Sequence, residues 1–365
     1  MNTRLKYVDA LRGMAIIGVV SIHSIYNADA IVKLHGGTNN SVLTAALNQG
    51  KYGVELFFFI SGWLLNSLYN NSQNRQLKIY WVRRLARIYP LWLLFIIIST
   101  IRLHSTEIFR LDIPEIQGLN SFQFISIIFL NLTFLTFISA TSWNTLVPGG
   151  WSIQSEIIHY FIFWRLIKIK WESLIQIYIL IGISTFFAQF IKKDSVNYVL
   201  YDLIQSWLRL NLFSTMVYFV IGIGYSKLLS GEVKLDIPNI LKPLNLIALT
   251  VFLILPLNFG HNSVAAVFII LCILVVRKSP EILLKFLEKI GKYSYFIYFF
   301  HFILVTVLFN FFSTKSNLPT NEPSQILMFV FFFSISLGLS FYVGAFSFKF
   351  VENPIMLLAR RYTQR

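Results

Sequence analysis

Cysteine is almost absent from this chain. Cys272 is the single one among 365 residues, so no intrachain disulfide can form. It lies in an apolar run with nothing beside it to activate a thiolate, and reads as a packed or lipid-facing small residue. Charge is also scarce, at 13% of residues, and it is lopsided: 16 acidic against 31 basic, a net +15. No metal-binding His-Glu-x-x-His, no Walker-type phosphate loop and no Gly-x-Ser-x-Gly elbow occurs, and no metal is expected. There is no repeat of the kind that builds solenoids, and no low-complexity linker. Residues 1–365 therefore read as a single integral-membrane domain with no appended soluble domain.

What the chain has in excess is hydrocarbon. Apolar residues make up 56% of it, 36 of them Phe, and its mean hydropathy is +0.66. Apolar runs long enough to cross a bilayer recur near 8–28, 51–70, 88–102, 121–140, 151–169, 172–191, 205–228, 241–257, 262–276, 290–313 and 324–348. The fold class is an all-α polytopic membrane protein. The first run has Arg4 and Lys6 ahead of it and Ala28-Asp29-Ala30 behind, in the manner of a signal peptide. Arg12 and His23 interrupt it and many spans follow, so an uncleaved first span is the better reading.

The basic residues cluster in short loops between the runs, which is the mark of the positive-inside rule and not of nucleic-acid binding. If all eleven runs crossed from a cytoplasmic N-terminus, most of the 31 Lys and Arg would fall outside. If one segment between 88 and 140 does not cross, every later loop changes sides and most fall inside. The expectation is thus ten transmembrane helices plus one re-entrant or interfacial segment, 88–102 or 121–140, with both termini cytoplasmic.

Within the first run, ten residues separate Arg12 from His23. Eleven helical steps rise ~16 Å and return within ~20° of three whole turns, so both project from one face, with Asp9 close to it. An ionisable residue in a span is costly and commonly marks a substrate or proton route; an interfacial anchor and a packed His are the plain alternatives. On the expected topology His23 lies in the outer half. Glu55 opens the second span near its outer end, where it is solvated, caps the helix or lines a site. Ser61 and Gly62 follow, suited to close helix contact. Ser152, Ser155, Glu156 and His159 form one stripe behind Trp151. Glu156 lies ~8 Å below that Trp by helical rise, a depth similar to that of His23. His159 and His301 are packing or hydrogen-bonding histidines on the simplest view, and His35, His104 and His261 look solvated. Arg84 and Arg87 are i,i+3 neighbours on a short helix entering the membrane beside Arg83. They either anchor the topology or, as paired guanidiniums, match phosphate oxygens.

Taken in order, these pieces resemble the integral-membrane acyltransferase family 3, which includes O-antigen and other polysaccharide O-acetyltransferases. The matching stretches are Asp9-Ala-Leu-Arg12-Gly13 followed by His23; Gly53-Val-Glu55 to Ser61-Gly62; Arg84-Leu-Ala-Arg87-Ile-Tyr89-Pro90; Trp151-Ser152 with Glu156 and Tyr160; Tyr293-Ser294-Tyr295 to His301; and Val351-Glu352-Asn-Pro354. Each is weak alone, and together they span residues 9 to 354. The resemblance implies acyl transfer from cytoplasmic acetyl-CoA, as co-substrate, to a hydroxyl of a cell-surface or lipid-linked carbohydrate, in a bacterial cytoplasmic (inner) membrane. It points to Arg12, His23, Arg84 and Arg87 as functional elements. On that view His23 is catalytic, either deprotonating the acceptor hydroxyl or carrying the acyl group transiently, and Glu156 orients it or binds the acceptor. Arg84 and Arg87, helped by Arg83, hold the CoA phosphates, Arg12 borders the path of the donor's arm, and Asp9, Glu55, Ser61, Trp151, Ser152 and His301 line the site. Expected partners are acyl-CoA, a carbohydrate or glycolipid acceptor, the lipid bilayer and proteins of polysaccharide synthesis, with no nucleic acid. Since the chain stops soon after the last run, a second transfer step would call on a separate protein. The alternative is a flippase for a lipid-linked sugar, or a small-anion transporter, without catalysis.

Overall fold

The structure, a computed structural model, describes residues 3–37, 41–70, 77–103, 105–110, 119–136, 146–166, 212–230, 261–315 and 321–363, with positions 173 and 176. The run 241–257, the run 172–191 apart from those two positions, residues 205–211 and His104 lie outside the described residues. Among the described residues every regular element is helical.

α1 (Thr3–Leu34) is the central post. After it come α2 (Ser41–Leu47), a 3₁₀ turn (Asn48–Tyr52), α3 (Gly53–Asn70), α4 (Leu77–Arg102) and α5 (Ser121–Leu132). Next are α6 (Gly150–Leu166), α7 (Leu212–Leu229), α8 (His261–Lys278), α9 (Glu281–Lys292) and α10 (Ser294–Ser313). Last come α11 (Glu322–Ser347), a π turn (Phe348–Glu352) and α12 (Asn353–Tyr362). By length and composition, Lys6–Leu34, Lys78–Arg102, Ser294–Ser313 and the continuous stretch Glu322–Tyr362 can each cross a bilayer. On α8, Val264, Val267, Leu271 and Val275 form an exposed stripe, and α11 exposes Leu327, Val330, Phe331 and Leu339. Such faces are stable against lipid tails and costly against water.

α1 packs against α9, α10, α11 and α3, and α3 pairs tightly with α7. Glycine sets both of the closest approaches. A methyl group on Gly62 would strike the Phe219 carbonyl, and one on Gly222 the Phe59 carbonyl, so the α3 and α7 backbones touch. Gly13 and Gly291 do the same for α1 and α9, against Leu287 and Asp9. Aromatic packing of Trp92, Phe95 and Phe299 joins α4 to α10.

Three features differ from the sequence reading. First, Leu77–Arg102 is one helix of which the basic Lys78–Arg87 stretch is part of the first half, with Pro90 inside it. At 26 residues it can span. α5, by contrast, has 12 residues, ~18 Å against a hydrocarbon core of ~30 Å. The 121–140 run is broken where Phe134 adopts a left-handed φ of 58°, its ring stacked on Trp92. Second, α1 runs on to Leu34, and residues 41–52 fold back along it. Thr44 donates to Asp29 (2.8 Å), Tyr26 donates to Asn48 (2.7 Å), and Gly50 packs on Gly18. α3 therefore begins beside Ala15, at mid-height on α1, and Glu55 is buried at 8% exposure instead of solvated at a rim. Third, Lys285, Lys289 and Lys292 sit on the amphipathic helix α9, whose Leu287, Ile290 and Gly291 are buried against α1.

Candidate active site

Five helices converge on one cavity. α1 contributes Arg12, α3 Phe57 and Ser61, α4 Arg87, α6 Ser152, Glu156 and Tyr160, and α10 Ser294, Tyr295 and Tyr298. Glu156 is the hub. One carboxylate oxygen accepts from Ser61 Oγ (2.9 Å) and from the Tyr160 hydroxyl. Tyr160 is held in turn by the Arg84 guanidinium, 5.1 Å above its ring, while its backbone carbonyl accepts from the Tyr80 hydroxyl (2.8 Å). Arg12 pairs with Asp9 at 3.2 Å, one helical turn back, and lies in electrostatic range of Arg87 and Glu156. With two guanidiniums and one carboxylate facing it, the lining carries net positive charge.

On the α10 side, Ser152 donates to the Tyr298 hydroxyl (2.7 Å), and Tyr298 donates to the Gly149 carbonyl (3.1 Å). One turn further along α10 the polar lining gives way to a ring cluster. His23 lies 5.3 Å from His301 and 4.4 Å from Phe302, centroid to centroid, and Tyr298 is 6.0 Å from His301. α1 and α10 run the same way here: Arg12 and Ser294 share the cavity, and His23 and His301 meet beyond it.

The structure thus brings together Arg12, Arg87, Ser61, Ser152 and Glu156, and places His23 with His301 nearby. Glu156 is bonded to Ser61 and Tyr160 and lies at the level of Arg12, below His23. Depth counted from Trp151 misplaced it because α6 starts low: Gly149, just ahead of that helix, already packs on Phe302 beside His23. Arg84 is buried under Tyr160, and Arg83 donates to the Thr363 hydroxyl (3.0 Å) at the end of α12, away from the cavity lining. Asp9 touches the site through Arg12. Glu55 is buried in electrostatic range of Tyr298. Trp151 is partly exposed at the start of α6 and does not face the cavity. His159 packs on Phe58 and Phe219, as a structural histidine would. His35 is not simply solvated: its two ring nitrogens meet the carbonyls of Ile31 (2.9 Å) and Lys315 (2.7 Å). Tyr298 carried no expected role in the sequence reading, although its spacing, three residues before His301, puts both on one α10 face. Among the described residues no three His, Cys, Asp or Glu side chains gather as metal ligands.

The described residues thus define a helical protein with several helices able to cross a membrane and a cavity lined by two arginines beside a histidine pair. The family model of the acyltransferase domain, acyltransferase family 3, matches residues 5–345, and the chain belongs to that family. It is similar to a provisionally named O-acetyltransferase of Staphylococcus aureus strain COL, 23% identical over 402 aligned residues covering 96% of this chain and 58% of the relative. It is also similar to the O-acetyltransferase OatA of S. aureus strain NCTC 8325, 26% identical over 399 residues, covering 96% of this chain and 57% of the relative. The chain thus spans less than two thirds of the length of these curated relatives. No solved structure matches it.

Proposed function

We propose that this chain is a membrane O-acyltransferase moving an acetyl or other short acyl group from acyl-CoA, bound from the cytoplasmic side, to a hydroxyl of a cell-surface or lipid-linked carbohydrate. The observation that carries this reading is the juxtaposition of a net-positive cavity at Arg12 and Arg87 with a partly exposed histidine further along the same α1 face. An anionic donor needs the first, and activation of a hydroxyl needs the second. Family membership and the names of the relatives support the reaction class.

In this account the CoA phosphates bind near the cytoplasmic end of α4. Arg87 and Arg12 meet them from the cavity side, while Arg84 and Arg83 fix that end through Tyr160 and Thr363. The thioester end reaches along the α1–α10 face toward His23. His23 takes the acceptor's hydroxyl proton as the alkoxide oxygen attacks the thioester carbonyl. The C–S bond then breaks, and the departing thiolate receives the proton back from the imidazolium. Glu156 holds Ser61 and Tyr160 in place and supplies the negative charge that balances the arginines. Ten crossings with both termini cytoplasmic, in the cytoplasmic membrane of a bacterium, complete the reading. α5 is the segment that does not cross.

Purified protein incubated with labelled acetyl-CoA and candidate glycans tests this. Transfer of label, or acceptor-dependent CoA release, is expected. Movement of a lipid-linked sugar or an anion across proteoliposomes without CoA release would replace the enzyme by a carrier.

A further inference from the structure

His301 is fully buried, and its Nδ1 meets the Ile297 carbonyl at 2.9 Å. A carbonyl only accepts, so Nδ1 carries the hydrogen, and in the neutral ring Nε2 is left as an acceptor. That Nε2 is buried and has no hydrogen-bond partner among the described residues. An unpaired buried acceptor costs free energy, so its retention calls for an explanation. Its ring neighbours are Phe302 at 4.2 Å, Tyr298 at 6.0 Å and His23 at 5.3 Å. Tyr298 already donates to the Gly149 carbonyl, and Phe302 has nothing to donate. Among these three rings His23 is the one with an N–H left to offer. The two rings are tilted and not bonded to each other, but at 5.3 Å between centroids they stand at a separation that an edge-to-edge N–H···N bond of ~3 Å would give once they turn.

We propose that His301 is a positioning residue that accepts an N–H from His23 during turnover, fixing the His23 tautomer and ring orientation so that its other nitrogen faces the acceptor hydroxyl. The burial pattern sets the roles: His23 is only partly buried as a residue, whereas His301 is sealed and reaches substrate only through its neighbour. When His23 takes the acceptor proton it becomes a cation donating to His301, and no proton passes to His301. Phe302, packed on both rings, holds their spacing. The proposal rests on the reading of His23 as the base.

The test is steady-state kinetics of His301→Phe and His301→Gln beside His23→Ala, with donor and acceptor varied separately. Loss of a hydrogen bond to a charged group lowers kcat about tenfold to a hundredfold. His301→Phe is expected to show that fall with donor KM unchanged. His301→Gln, which keeps an acceptor within reach, is expected to recover much of it. Wild-type kcat in His301→Phe, with His23→Ala inactive, overturns the positioning role and leaves the base intact. A fall in His301→Phe that appears as raised donor KM, or that His301→Gln does not relieve at normal abundance, overturns it too. Full activity in His23→Ala would instead remove the reading on which the proposal stands.

Discussion

The Arg12 cavity and the His23 cluster are neighbours on the same two helices, yet they are built from opposite materials. Around Arg12 a network of polar side chains is bonded together: Asp9 to the guanidinium, Ser61 and Tyr160 to Glu156, Ser152 to Tyr298, with the buried Tyr295 hydroxyl left outside it. Around His23 the walls are rings, and the His301 acceptor goes unused. A satisfied network holds charges in fixed places and suits binding. A ring-walled site with spare hydrogen-bonding capacity suits a proton in motion, because fixed dipoles act more strongly in apolar surroundings. On the proposed function, donor capture belongs to the first region and chemistry to the second.

Substitutions that affect one region and spare the other sharpen this contrast. The largest effect is expected from His23→Ala: general-base catalysis is worth ~10²–10⁴-fold, so acceptor-dependent CoA release falls by that order at normal membrane abundance. Arg87→Ala is expected to raise the donor KM about tenfold to a hundredfold, the worth of a hydrogen bond to a charged group, with kcat changed much less. An effect of Arg87→Ala on kcat alone would erase the division between the regions. Stability should depend on neither site so much as on the glycine contacts. Gly62→Ala is expected to cost about 1–3 kcal/mol, read as a lowered melting temperature in detergent. Gly338→Ala, where an added methyl meets nothing, is expected to be neutral. The smallest effect belongs to His35, outside the spans. Its bonds to two carbonyl oxygens raise its pKa above the ordinary histidine value. This tie contributes fully below the unfolded pKa of ~6.5 and is lost as pH rises through the raised folded value. The melting difference between wild type and His35→Gln should therefore shrink on going alkaline.

Much of this arrangement can be read from the chain because helical period is local. The alignment of Arg12 with His23, the Arg84–Arg87 neighbourhood and the Ser152–Glu156 stripe follow from residue spacing alone, and family 3 membership follows from their order. Heights along α1 do not. They depend on residues 41–52 folding back onto α1 through Thr44, Asn48 and Gly50, contacts between residues far apart in sequence. That fold-back buries Glu55, and the low start of α6 parts Glu156 from His23. α9 falls largely between two apolar runs, where the sequence reading has only a short basic loop, because its one buried stripe is shorter than a span. Arg83 could not be distinguished from Arg84 and Arg87 by type. Only the position of Thr363 separates them.

Equilibrium binding of acetyl-CoA to the purified His23→Ala protein, beside wild type and Arg87→Ala, tests the central division most directly. The account predicts that His23→Ala binds the donor with wild-type affinity while acylating nothing, and that Arg87→Ala binds it weakly. Lost donor affinity in His23→Ala, or undiminished acylation by it, would contradict the account.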